Sequence, residues 1–135
     1  MGEELKEKVK NILSKSSRKL EAAYDLLKNG FYDDSVSRSY YSMFHAASIL
    51  LMLKGIESHT HSGLVSMFGL HLVRSGEIEK RFGKMLSDTR ELRENSDYGV
   101  SFEATEEEAR LALKNAKEFL EEIKKYLKER GLIYK

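Results

Sequence analysis

The sequence contains no proline, no cysteine and no tryptophan, and only nine of its 135 residues are glycine. The missing cysteines exclude disulfides, thiolate metal sites and cysteine nucleophiles, and they make a cytoplasmic location the default expectation. Because few residues are present that interrupt a helix, long helices are favoured. No apolar run approaches the roughly 20 residues of a membrane span, and the charged start of the chain lacks a signal-peptide core. We therefore expect no membrane contact.

Charge is nearly balanced, with 23 basic and 22 acidic residues, so no global field attracts nucleic acid. Near both ends of the chain, lysines are intermixed with glutamates and predict solvated helix faces without a nucleic-acid stripe. Between Phe31 and His71 full charges are scarce, yet all four histidines lie there. We predict that this middle part of the chain is buried or interfacial.

Apolar residues recur at three- and four-residue spacing and predict amphipathic helices, with no strand pattern and no internal repeat. Asp33 or Asp34 is the expected N-cap of the second helix, and Thr105 with Glu108 forms a capping box before the last one. The expected helices cover about residues 3–28, 34–54, 62–74, 77–96 and 106 onward, with a loop over residues 97–102. This order predicts an all-α fold, an up-and-down four-helix bundle with an additional short helix, as one domain of residues 1–135.

One polar line lies in the apolar second helix. Arg38 and His45 are seven residues apart, so two helical turns place them on one face with Tyr41 between them. A guanidinium fork suits phosphate oxygens, and an imidazole can transfer a proton near neutral pH. The spacing is equally compatible with a structural role, in which Arg38 pairs with an acid of a neighbouring helix and His45 makes one hydrogen bond in the core.

A second candidate group follows near the end of the fourth predicted helix. Arg93 is expected at its inner edge, and Asp97 lies one turn later with Tyr98 beside it. An Arg–Asp pair under a tyrosine would explain a buried charge structurally, because an unpaired one is costly. The same arrangement would hold the arginine ready for a phosphate.

His59 and His61 form an H-x-H pair before the short helix, but no carboxylate stands at a matching helical offset. We therefore predict no metal site, and expect His61 either to cap the short helix or to face the Arg38 line. No glycine-rich phosphate loop follows a strand, so no nucleotide cofactor of the P-loop or Rossmann type is expected. We predict no cofactor.

Several stretches together resemble the HEPN superfamily of helical bundles, in its small stand-alone branch of the UPF0332 type. The most specific stretch is R-x-Y-Y-x-M-F-H-A at residues 38–46; the others are L-K-G at 53–55, T-H-S-G at 60–63, R-E-N-S-D-Y-G at 93–99 and E-E-A at 107–109. The resemblance covers about residues 5–128. It implies a homodimer that works beside a minimal nucleotidyltransferase protein, in pairs similar to toxin–antitoxin modules.

The resemblance also implies two possible activities. Many relatives are metal-independent RNases with an Arg-x4–6-His motif late in the bundle, and others bind nucleotides or RNA. Here Arg93 is followed by Tyr98 where the nuclease pattern has histidine. A tyrosine, with a pKa of about 10, does not readily take up a proton at neutral pH. The literal Arg-x6-His match is Arg38 to His45, on another helix.

The leading hypothesis is a nucleotide- or RNA-phosphate-binding module that contacts its ligand with Arg38, His45 and Arg93. In this hypothesis Tyr41 and Tyr98 stack or orient, Asp97 holds Arg93, and His61 contributes from the connection before the short helix. The first alternative is an endoribonuclease with His45 as general acid or base and Arg38 stabilising the developing phosphorane charge. The second alternative is a structural dimerisation bundle.

Overall fold

The computed structural model describes residues 2–98 and 103–134, apart from the side chain of Tyr98. Within these residues all regular structure is helical. The helices are α1 (Glu3–Lys28), α2 (Tyr32–Leu53), α3 (His61–Phe68), α4 (Lys80–Tyr98) and α5 (Glu106–Glu129), and a π-helical segment, Gly69–Val73, continues α3. The predicted all-α bundle is confirmed. No helix in the described residues is long and apolar enough to cross a membrane.

Two helix starts were predicted with different success. Thr105 and Glu108 form the expected reciprocal capping box at the start of α5. The predicted cap of α2 at Asp33 or Asp34 is wrong, because Phe31 occupies the N-cap position and both aspartates lie in the first turn. Their negative charges there interact favourably with the positive end of the helix dipole. Asp33 also accepts a hydrogen bond from the Ala104 backbone amide at 2.6 Å.

The other helix ends differ from expectation near α3 and α4. Thr60 caps α3 through the backbone amide of Gly63, as one of the predicted choices, so His61 is the first helical residue. Helix α4 starts at Lys80, three residues later than predicted. Asp97 and Tyr98 are helical, so the predicted loop over residues 97–102 is wrong at its first two positions; its remaining residues lie outside the described part.

Helix α2 is the central element of the bundle. It packs against α1, α4 and α5, and it contributes the fully buried side chains of Tyr40, Met43, Ile49 and Leu50. Burial of apolar side chains is the main stabilising contribution in a bundle of this size. One face of α2 is only partly covered by its neighbours, since Arg38 is exposed and Tyr41, Phe44 and His45 are half-buried there.

Two serine hydrogen bonds set the register of α1 against α2. The Ser16 hydroxyl donates to the Ser42 carbonyl at 2.7 Å, and the Ser35 hydroxyl donates to the Ala23 carbonyl at 2.7 Å. As residue number rises along α1 it falls along α2, so the helices are antiparallel. All four residues are fully buried, and their small side chains let the two backbones approach closely.

At the opposite end of α2, Glu77 joins three parts of the chain. Its carboxylate pairs with Lys54 Nζ at 2.6 Å and accepts hydrogen bonds from the Tyr126 hydroxyl at 2.8 Å and the Ser75 hydroxyl at 3.0 Å. The hydrogen bond from Lys54 is the main reason that the pKa of Glu77 is lowered to about 2. The connection before α4 is thereby attached to both α2 and α5.

Candidate functional site

The candidate site is the open face of α2, which carries Arg38, Tyr41, Phe44 and His45. Tyr41, Phe44 and His45 are half-buried, whereas Arg38 is exposed. The helix runs without interruption through these positions, so Arg38, Tyr41 and His45 share a face at spacings of three and four residues, as predicted. We use "open α2 face" for these four residues.

Arg38 has no ion pair or hydrogen bond within the described residues. The alternative in which it pairs with an acid of a neighbouring helix is therefore wrong for the described part of the chain. An exposed guanidinium without a protein acid keeps all five N–H donors available to a ligand. This is the arrangement that an anion-binding arginine requires.

Helix α4 supplies an arginine to the same face. Arg93 Nη2 donates to the Tyr41 hydroxyl oxygen at 2.9 Å, and Arg93 Nε lies 3.0 Å from Asp97 Oδ2. The predicted Arg93–Asp97 pair is confirmed, and the i, i+4 spacing explains why α4 continues through Asp97. The guanidinium carbon also lies 5.0 Å from the centroid of the Tyr41 ring and 5.7 Å from that of Tyr40, within cation–π range.

Burial explains why these contacts matter for Arg93. Its side chain is only 12% exposed and that of Asp97 is 30% exposed, so their charges are partly desolvated. A guanidinium in such a place requires partners, and the Tyr41 hydroxyl accepts a hydrogen bond from Nη2 while the Asp97 carboxylate offsets the charge. Arg93 is therefore held in place beside the Tyr41 hydroxyl, and this pair of residues connects α4 to α2.

His61 connects the start of α3 to the same group of rings. Its Nδ1 lies 2.9 Å from the Tyr40 hydroxyl oxygen, and its ring centroid lies 4.6 Å from that of Phe44 and 5.7 Å from that of Tyr41. Burial raises the pKa of Tyr40 to about 12 and, followed by the nearby charges of Arg93 and Arg90, lowers the pKa of His61. Both shifts favour the neutral forms, in which the Tyr40 hydroxyl donates a hydrogen bond to His61 Nδ1. The predicted alternative that His61 faces the Arg38 line is the one observed.

Tyr40 and Phe44 were not among the residues predicted for the site. Tyr40 is completely buried, and Phe44 is half-buried beside His61 and Tyr41. In the sequence both belong to the apolar run of α2, where an aromatic side chain predicts core packing. The sequence does contain one signal for their role. Tyr40 and Phe44 are four residues apart, as are Tyr41 and His45, so the helix carries two pairs of rings side by side.

His45 lies at the end of the open α2 face in an apolar and cationic environment. Its ring centroid is 5.6 Å from that of Phe44 and 6.3 Å from that of Tyr41. Burial is the first cause that lowers the pKa of His45 to about 4, and the charges of Lys15 and Lys19 on α1 are the next. The imidazole is therefore neutral at physiological pH. It can accept a proton or a hydrogen bond, but it does not supply a positive charge.

We expect the imidazole resonances of His45 to titrate near pH 4 in an NMR experiment, well below the value of about 6.5 for a model histidine. Between these two values the unfolded chain binds more protons than the folded one. The stabilising contribution of neutral His45 is thus complete above about pH 6.5 and is lost as the pH falls through about 4. His45→Gln should flatten the pH dependence of the unfolding free energy across this window. A titration midpoint of 6 or above in the folded protein would contradict the assignment.

Tyr98 ends α4, but its side chain lies outside the described residues, so its predicted stacking role stays a prediction. His59 is exposed and lies before Thr60, away from the ring contacts made by His61. Over residues 2–98 and 103–134, no three His, Asp or Glu side chains converge as metal ligands would.

The chain resembles known proteins over most of its length. A model of the HEPN domain matches residues 9–126. A protein of Methanocaldococcus jannaschii named "Putative toxin" is 36% identical over 129 residues, which is 96% of each chain. A UPF0332 protein of Thermotoga maritima is 34% identical over 92% of this chain and 95% of its own, and one of Pyrococcus horikoshii is 51% identical over 62% of this chain and 59% of its own.

Proposed function

The chain belongs to the HEPN domain family, and we propose that it binds a nucleotide or the phosphates of RNA on the open α2 face. The observation that carries this proposal is the combination of Arg38, exposed and without an acidic partner in the described part, with Tyr41, which Arg93 holds from the neighbouring helix. A cation for phosphate and aromatic rings for a base are the two elements that nucleotide recognition requires.

The geometry divides these tasks between residues. Arg38 supplies a guanidinium fork to phosphate oxygens, which bind such a fork in bidentate fashion. Tyr41, Phe44 and His61 provide ring surfaces within 6.3 Å of one another, on which a base can stack. Neutral His45 orients the ligand by a hydrogen bond. The charge of Arg93 is largely compensated by Asp97, so Arg93 acts mainly by positioning Tyr41.

We also propose a biological setting for this binding. Two proteins of M. jannaschii that are 36% and 32% identical to this chain carry the name "Putative toxin". We propose that the chain forms a homodimer and acts with a minimal nucleotidyltransferase protein, in a pair similar to a toxin–antitoxin module; the toxin names support a partner of antitoxin type. An adjacent reading frame that encodes a small nucleotidyltransferase, together with co-purification of its product, would support this setting. Light scattering that gives a mass of 15.5 kDa, that of one chain, would contradict the dimer.

The alternative function is a metal-independent endoribonuclease. One observation favours it: His45 lies on the same face of α2 as Arg38, so an imidazole and a guanidinium could act on one phosphodiester. The pKa of about 4 makes His45 a weak base at neutral pH, which argues for slow cleavage at most. Against it, Arg93 is followed by Tyr98 where the nuclease pattern has histidine, and a tyrosine does not readily take up a proton at neutral pH. Cleavage of a mixed RNA pool in EDTA by the wild type, absent in His45→Ala, would establish the nuclease. Uncut RNA, both alone and with the partner protein, would exclude it.

Replacing Arg38 by alanine should weaken the binding of AMP by roughly 10- to 100-fold, because one charge-assisted contact to phosphate contributes roughly 1.5–3 kcal/mol. Arg38 is exposed and makes no described ion pair, so the far-UV circular dichroism and the unfolding midpoint should stay unchanged. Isothermal titration calorimetry measures the affinity.

Arg74→Ala is the matched control, since Arg74 is also exposed but follows the π-helical segment, away from the open α2 face. Its affinity should equal that of the wild type. If the wild type binds neither AMP nor RNA, the structural dimerisation bundle becomes the better account. If Arg38→Ala binds both as tightly as the wild type, the ligand does not contact Arg38 and the proposed binding face is wrong.

A further inference from the structure

The middle of α1 carries five basic residues and no acidic one. Between Glu7 and Glu21 the charged residues are Lys8, Lys10, Lys15, Arg18 and Lys19. The prediction that lysines of this helix are intermixed with acids and form no stripe is therefore wrong for this stretch. Its acids are concentrated at the two ends of the helix, which conceals the basic centre when charges are counted over the whole element.

The register of the bundle brings this basic stretch to the candidate site. The buried Ser16–Ser42 hydrogen bond of 2.7 Å places Lys15 and Lys19 at the level of α2 residues 38–45. Because the helices are antiparallel, Lys19 lies toward the Arg38 end of the open α2 face and Lys15 toward its centre. The positive charges of Lys15 and Lys19 act on this face, because both help to lower the pKa of His45.

Helical periodicity assigns three lysines to the same flank of α1. Lys8, Lys15 and Lys19 are separated by seven and four residues, which returns each to one face. Lys19 follows Lys8 by eleven positions, which corresponds to about 16 Å along the helix axis. In the described part of the chain, none of the three is in an ion pair. We call them the α1 rim.

The opposite side of the site differs in charge. On α4, Arg90 pairs with Glu94 at 3.2 Å and Arg93 pairs with Asp97 at 3.0 Å, so these arginines are compensated. On α2 no acidic residue occurs between Asp34 and Glu57. Beside the open α2 face, the basic side chains without a described acidic partner are therefore Arg38 and, on α1, Lys15 and Lys19, and Lys8 continues the rim beyond the end of that face.

We infer that the ligand is a single strand of nucleic acid whose phosphate backbone follows the α1 rim while its bases turn toward the rings of α2 and α3. This inference rests on the proposed function and specifies the substrate class. A mononucleotide needs one cation at Arg38 and leaves the rim unused, whereas phosphates recur every 3.4 Å along one strand of a B-form helix and every few ångströms in an extended strand. A single strand is required because bases stack on aromatic side chains only when they are unpaired.

The test measures fluorescence anisotropy of labelled oligoadenylates of 2, 4, 8 and 12 nucleotides, as RNA and as DNA, at several salt concentrations in EDTA. Affinity should rise with length and fall with salt. In Lys15→Gln/Lys19→Gln the slope of log affinity against log salt should decrease by about 1.4, at roughly 0.7 per lost phosphate contact on a single strand. Equal affinities for RNA and DNA would show that the rim contacts only the phosphate backbone. A higher affinity for RNA would indicate a contact to the ribose 2′-hydroxyl beside the rim.

A matched variant removes the same charge elsewhere. Lys125 and Lys128 are exposed on α5, so Lys125→Gln/Lys128→Gln changes the net charge equally without altering the rim and should keep the wild-type slope. If AMP binds as tightly as the 12-mer, and the rim variant matches the wild type, the inference is overturned while the proposed function stands. If neither AMP nor any oligonucleotide binds the wild type, the proposed function fails and the inference fails with it.

Discussion

Phe119→Ala should lower the free energy of unfolding by about 3–5 kcal/mol, the range observed when a fully buried phenylalanine is truncated. Phe119 on α5 has no exposed surface, and its ring centroid lies 5.5 Å from that of Phe68 and 6.4 Å from that of Phe82. The side chain thus joins α5 to α3 and α4. Removing it leaves a cavity at the meeting point of three helices, where the surrounding backbone relaxes only in part. Urea unfolding followed by circular dichroism measures the loss.

Two further variants keep this prediction testable if the alanine variant does not fold. Phe119→Leu retains most of the apolar volume and should cost about 1–2 kcal/mol. Leu111→Ala on the same helix should change stability by less than about 0.5 kcal/mol, because Leu111 is 57% exposed. If Phe119→Leu and Leu111→Ala are equally stable, the described packing of α5 against α3 and α4 is wrong.

The helices could be predicted wherever a local signal decides the structure. The capping box at Thr105 is complete within four residues, and it was predicted correctly. The start of α2 was not, because a distant backbone amide at Ala104 engages Asp33 and leaves Phe31 at the N-cap. The predicted end of α4 is two residues too early, because the sequence suggests a turn at Asp97, whereas the pairing of Asp97 with Arg93 favours the helix there.

The site divides in the same way between local and tertiary information. Periodicity alone places Arg38, Tyr41 and His45 on one face of α2, and this prediction is confirmed. The contact of Tyr41 with Arg93 spans 52 residues and depends on how α4 lies against α2, which no local pattern contains. The basic rim on α1 was missed for a related reason. Lys15 gains its importance from the register set by a pair of buried serines, and serine in a helix carries no strong signal.

Arg93→Ala should have the largest effect on the candidate site, because Arg93 is the residue that joins its two main helices. The substitution removes the 2.9 Å hydrogen bond to Tyr41 and leaves Asp97, which is 30% exposed, without its 3.0 Å partner. We expect a loss of about 1–3 kcal/mol of stability, since a partly buried carboxylate and hydroxyl lose their described donor. We also expect at least a tenfold loss of AMP affinity, because Tyr41 is no longer oriented.

Arg93→Lys separates the charge of this residue from its shape. A lysine keeps the positive charge near Asp97 but lacks the planar fork that contacts Asp97 and Tyr41 together. It should therefore recover most of the stability while binding AMP more weakly than the wild type. Arg110→Ala is the matched control, because it also removes an arginine from an i, i+4 pair, that with Glu106 at 2.7 Å on α5, and it should leave binding unchanged.

The decisive measurement is a double-mutant cycle between Arg93→Ala and Tyr41→Phe. Tyr41→Phe removes the acceptor hydroxyl but keeps the ring, so stacking of a base remains possible while the link to α4 is lost. If the two residues act as one unit, the double variant should bind AMP about as well as Arg93→Ala alone, with a coupling energy of about 1 kcal/mol or more. Additive losses, within about 0.3 kcal/mol, would show that Arg93 contacts the ligand independently of Tyr41. The positioning role proposed for Arg93 would then have to be replaced by direct phosphate binding.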